Sequence, residues 1–101
     1  MESEVNMKVL IVEDNKTLQA DMKKELSKHF EIETCIDGEE GLYLIEQGIY
    51  DLVILDLMLP NMDGMTILKE ARKSGIDTPI LILTAKESLD DKMEAFTLGA
   101  N

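Results

Sequence analysis

The run Leu52-Val53-Ile54-Leu55-Asp56 decides the fold. Four apolar residues in a row, without alternation, read as a strand covered on both faces, the mark of a parallel sheet under helices. Two more runs have this character. Lys8-Val9-Leu10-Ile11-Val12 precedes it and closes in Glu13-Asp14, and Ile80-Leu81-Ile82-Leu83 follows it and closes in Thr84. A fourth stretch differs: Phe30, Ile32, Thr34 and Ile36 alternate with Glu31, Glu33 and Cys35, which predicts a strand exposed on one face.

Helical spacing fills the gaps between these runs. Leu18, Met22 and Leu26 recur at steps of four and predict a helix over 16–28, with Lys23, Lys24, Lys28 and His29 near its negative end. Asp37-Gly38-Glu39-Glu40 reads as a cap opening a second helix that Gly48 ends. Pro60-Asn61-Met62-Asp63-Gly64 is a turn, with Asp63 capping a third helix through Ile67, Leu68 and Ala71 to Gly75. Residues 87–98 predict a fourth helix with Met93, Phe96 and Thr97 facing inward.

Four strand-helix repeats give an α/β fold with helices on both faces of a parallel sheet. The alternating second strand suits an edge, so the expected order is 2-1-3-4. That order leaves the apolar fourth strand as a second edge, which reads as though a further strand should lie beside it.

Composition narrows the function. With 101 residues the chain fits one domain, and 45% hydrophobic with 31% charged residues excludes a disordered tail. Ten basic against twenty-one acidic residues give a net charge of −11, which argues against direct nucleic-acid binding by this segment. One cysteine excludes an internal disulfide and a cysteine-rich zinc site, and tryptophan is absent. No apolar run approaches a membrane span and no signal segment opens the chain, so a soluble, cytoplasmic domain is expected. Met7 starts the first strand-like run, so residues 1–6 are expected to be a leader or an appended tag and 7–101 the domain.

In such a sheet the site lies beyond the carboxyl ends of the strands, where the strand order reverses. Glu13, Asp14 and Asp56 meet there, with Thr84 one strand further along the same rim. Three bare carboxylates repel one another unless a cation enters, and an oxygen-only donor set suits Mg²⁺. The plainer alternative is that these acids only cap the helices that follow them.

The chain resembles a response-regulator receiver domain of a two-component system, most similar to the OmpR/PhoB winged-helix type. The residues carrying this are Val9-Leu10-Ile11-Val12-Glu13-Asp14-Asn15, Asp51 through Pro60, Asp63-Gly64, Leu81-Ile82-Leu83-Thr84-Ala85-Lys86 and Leu98-Gly99-Ala100-Asn101. The resemblance implies a flavodoxin-like sheet and a phosphoacceptor domain rather than an enzyme in its own right. Asp56 would accept the phosphoryl group from a histidine kinase. Glu13, Asp14, Asp56 and the Met58 backbone carbonyl would hold Mg²⁺. Thr84 would bond a phosphoryl oxygen and act as the switch, and a DNA-binding output would sit elsewhere in the parent protein.

Receivers continue past Gly-Ala-Asn into a fifth strand bearing an aromatic residue and a Lys-Pro pair, then a fifth helix. The sequence stops before them, so a truncated receiver is expected, with self-association along the fourth-strand edge as a competing reading. A Mg²⁺-dependent hydrolase is disfavoured because Met58, and no acid or base, stands two positions after Asp56. His29, among lysines at a helix end, reads as a solvated dipole partner. Met22, Met65 and Met93 read as core fillers.

Overall fold

In the structure, a computed structural model, residues 7–83 are described. Their elements are β1 (Lys8–Val12), α1 (Lys16–Leu26), β2 (Glu31–Cys35), α2 (Gly38–Glu46), β3 (Leu52–Asp56), α3 (Gly64–Lys73) and β4 (Ile80–Leu83). The four strands form one parallel sheet in the order β2-β1-β3-β4. The predicted fourth helix over 87–98 and Thr84 lie outside the described residues.

The two central strands are apolar because both faces are covered. On one side Leu10, Val12, Val53, Leu55, Ile80 and Ile82 pack against Ile45 of α2 and against Ile67, Leu68 and Ala71 of α3. On the other side Val9, Ile11 and Ile54 lie beneath Met22 and Leu26 of α1. Each fully buried aliphatic side chain contributes about 1.5–3 kcal/mol of transfer free energy, so these two layers carry most of the favourable term.

The turn chemistry places the helices. Asn15, Asp37 and Asp63 take extended backbone conformations and cap α1, α2 and α3, accepting bonds from the amides of Leu18, Glu40 and Thr66. Gly48 and Gly75 follow the ends of α2 and α3 at φ +73° and +88°, the left-handed region that a residue without Cβ enters at no steric cost.

Three expectations change. Helix α1 ends at Leu26, so Lys28 and His29 lie beyond it, with Ser27 as the C-cap. Leu18 is 42% exposed rather than packed, and α1 carries no fully buried residue. The alternation of β2 breaks at its end: Cys35 is buried and Ile36 is 43% exposed. Gly41 of α2 lies close over Val12, where an added Cβ would stand 2.9 Å from a Val12 methyl carbon and 3.6 Å from the Cys35 sulfur.

Candidate metal and phosphoryl site

Glu13 directly follows β1, and Asp56 ends β3, its neighbour in the sheet. The structure brings Glu13, Asp14 and Asp56 together, with one carboxylate oxygen from each lying within 4.8 Å of the others. Glu13 and Asp56 are buried, at 4% and 6% exposure, while Asp14 is open to solvent. The cluster thus joins two buried acids to one that solvent reaches.

Local hydrogen bonds hold Glu13. The Glu13 carboxylate accepts the Asn15 backbone amide at 3.0 Å. Its own backbone N–H donates to the Cys35 carbonyl at 3.0 Å, extending the β1–β2 pairing by one step. The Gln19 side-chain amide donates to the carbonyls of Glu13 and Cys35, each at 3.0 Å. At Asp56 the nearby backbone amides of Met58 and Leu57 favour the charged carboxylate.

Burial pushes the pKa of Glu13 up. The Asn15 amide opposes this, and the charges of Asp56 and Asp14 add to it. Burial likewise raises Asp56, against the Met58 amide and with the Asp14 charge. The ion pairs of Lys8 and Lys28 lie elsewhere, with Glu31, Glu33 and Glu25. The acids therefore crowd one another without a compensating side-chain cation among those pairs, and their three hard oxygen donors fit a divalent ion.

The loop after Asp56 is tightly held. Leu57 donates its amide to Leu83 of β4 at 2.9 Å, and Gly64 donates to the Leu57 carbonyl at 2.9 Å. A Cβ on Gly64 would stand 2.4 Å from the Asp56 carbonyl oxygen, so only glycine lets α3 start this close to the site. Asn61, at φ +71°, donates its side-chain amide to Asp37, and Gly38 donates its backbone amide to Pro60 at 3.1 Å. Met58 lies on this loop with its side chain 60% exposed.

Sequence reasoning found the three acids but not Gln19 or the Asn61–Asp37 bond. Nothing in a glutamine on a helix signals two carbonyls waiting across the chain. His29 is exposed, its ring edge-on to Phe30 with centroids 6.1 Å apart.

Known proteins resemble this chain in sequence and fold. Residues 9–101 match the family model described as the response regulator receiver domain. The chain is 52% identical over 95 residues to the transcriptional regulatory protein CiaR of Streptococcus pneumoniae, covering 94% of this chain and 42% of CiaR. It is 43% identical to HprR of Escherichia coli, covering 94% and 43%. The chain thus spans less than half the length of these relatives. Among solved structures, the receiver domain of the Francisella response regulator 1452 superposes with a TM-score of 0.88 at 35% identity, covering 95% of this chain and 80% of that one. The phosphorylated cyanobacterial phytochrome response regulator RcpA gives 0.84 at 28%, covering 96% and 78%. With its parallel 2-1-3-4 sheet and its acids at the carboxyl rim, the chain belongs to the response regulator receiver domain family.

Proposed function

We propose that residues 7–101 form a receiver domain that takes a phosphoryl group onto Asp56 from the phosphohistidine of a histidine kinase. The observation that carries this is the cluster of Glu13, Asp14 and Asp56, two of them buried and both pushed toward protonation. Glu13, Asp14, Asp56 and the Met58 carbonyl would hold Mg²⁺, which when bound offsets the carboxylate charge and that of the incoming phosphoryl oxygens. A carboxylate oxygen of Asp56 forms the new bond to phosphorus. The phosphorus–nitrogen bond breaks, and the imidazole nitrogen keeps the electron pair. The Met58 amide favours the charged form of the Asp56 carboxylate, the form that attacks. Thr84 would then bond a phosphoryl oxygen and move the segment that follows β4.

The reading extends to the parent protein. Relatives named as transcriptional regulatory proteins support a DNA-binding output outside this segment, whose −11 charge disfavours direct contact with DNA. A cytoplasmic setting goes with a kinase partner, and no helix among the described residues is long and apolar enough to cross a membrane. Among those residues β4 pairs only with β3, which favours self-association along its other edge as a second reading. Sedimentation at rising concentration tests that reading, and a constant monomer mass removes it.

The primary test is incubation with a small acyl phosphate and MgCl₂, read by intact mass. The wild type gains one phosphoryl group, while Asp56→Asn gains none and keeps its dispersed amide spectrum. Equal incorporation in the variant overturns the assignment.

A further inference from the structure

Gln19 belongs to no motif, yet it makes the only side-chain bridge among the described residues from a helix to the ends of two strands at the site rim. It closes the first turn of α1, its backbone amide donating to Asn15 at 2.9 Å. Both hydrogens of its half-buried side-chain amide are used, one on the Glu13 carbonyl and one on the Cys35 carbonyl. The β1–β2 pairing ends at Val12 and Cys35, so Glu13 sits one step past the last strand residue. Gln19 serves there as a substitute rung.

Glu13 is thereby gripped at three points. Its N–H is held by Cys35, its carbonyl by Gln19 and its carboxylate by the Asn15 amide. Asn15 and Gln19 bracket the first turn of one helix, so the side chain and the peptide of Glu13 are fixed to the same rigid body. A buried acid so constrained keeps its place against the repulsion of Asp56 and Asp14, which would otherwise swing it away.

We propose that Gln19 is a positioning residue for divalent-cation binding, setting the Glu13 ligand through its backbone. The inference rests on the metal reading above and goes beyond it by naming the group outside the ligand set that tunes affinity. The alternative is that Gln19 merely ties α1 to the sheet, in which case its loss lowers stability and leaves affinity in the folded chain unchanged.

The test is a MgCl₂ titration followed by amide chemical shifts of the folded population, for the wild type, Gln19→Met and Met22→Ala. Methionine keeps the length of the side chain and removes both donors. Met22 packs under the same helix against Val9, Ile11 and Ile54, so its truncation destabilises without touching the rim. The expected result is a Kd raised about tenfold in Gln19→Met and unchanged in Met22→Ala. Gln19→Met binding like the wild type overturns the inference, as does an equal loss in Met22→Ala. A wild type that does not bind Mg²⁺ at Glu13, Asp14 and Asp56 overturns the metal reading itself, and this inference with it.

Discussion

Tyr50 shows how one side chain can join distant strands at the end of the sheet away from the acids. Its hydroxyl donates to Glu33 of β2 at 2.6 Å, and Lys8 of β1 lies 3.2 Å from the other oxygen of that carboxylate. The Lys8 ammonium also stands 5.9 Å from the centre of the Tyr50 ring. The Tyr50 bond, then Lys8, hold the Glu33 pKa below its ordinary 4.5, while burial and the Glu33 charge push the Tyr50 phenol up. A depressed carboxyl contributes stability above the unfolded-chain pKa and loses it as pH falls through the folded value. Tyr50→Phe removes the first cause. It is expected to cost about 1 kcal/mol at neutral pH, the usual worth of a part-exposed bond to a charge. It should also flatten the acid-side fall in the thermal midpoint. Parallel midpoint-against-pH curves for the two proteins would count against the linkage. In the sequence Glu33 read only as an outward-facing acid. Its partners come from other segments, and only the register of β2 against β1 unites them.

Elements carry the clearer signals. The caps Asp37 and Asp63, the stops Gly48 and Gly75 and the unbroken apolar strands were legible because each rests on local backbone chemistry. The strand order was legible too, since a strand alternating with acids belongs at an edge. Leu18 and Ile36 were misread because their exposure depends on what stands opposite, which periodicity does not record. Gly64 belongs between the two cases: the turn was plain in sequence, but the contact with Asp56 was not. Gly64→Ala puts a methyl group against the Asp56 carbonyl and the Leu57 Cα. The expected cost is about 1–3 kcal/mol of overpacking, with amide shifts spreading through Asp56, Leu57 and Met58. A variant with wild-type stability and unmoved shifts would show that the loop yields more easily than its hydrogen bonds imply.

At the scale of the whole molecule, charge and site compete for the same cation. A chain of net charge −11 is stabilised by any salt that screens self-repulsion. A specific site adds about 1.4 kcal/mol once the ion stands about tenfold above its Kd. MgCl₂ is therefore expected to raise the thermal midpoint above that in NaCl of equal ionic strength, and Asp56→Asn should narrow the difference. Equal midpoints in the two salts would reduce the acids to general screening. Burial is also unevenly shared. Four of five residues in β1 and in β3 are buried, and these strands lead to or bear the buried acids, whereas α1 has no buried residue. Mutational freedom divides along the same line. A lineage can rewrite the outward face of α1 at little cost, while drift in the two central strands damages the core and displaces the acids together. Duplicated copies of such a domain can thus come to look unlike one another across α1 long before the strands that carry the acids diverge.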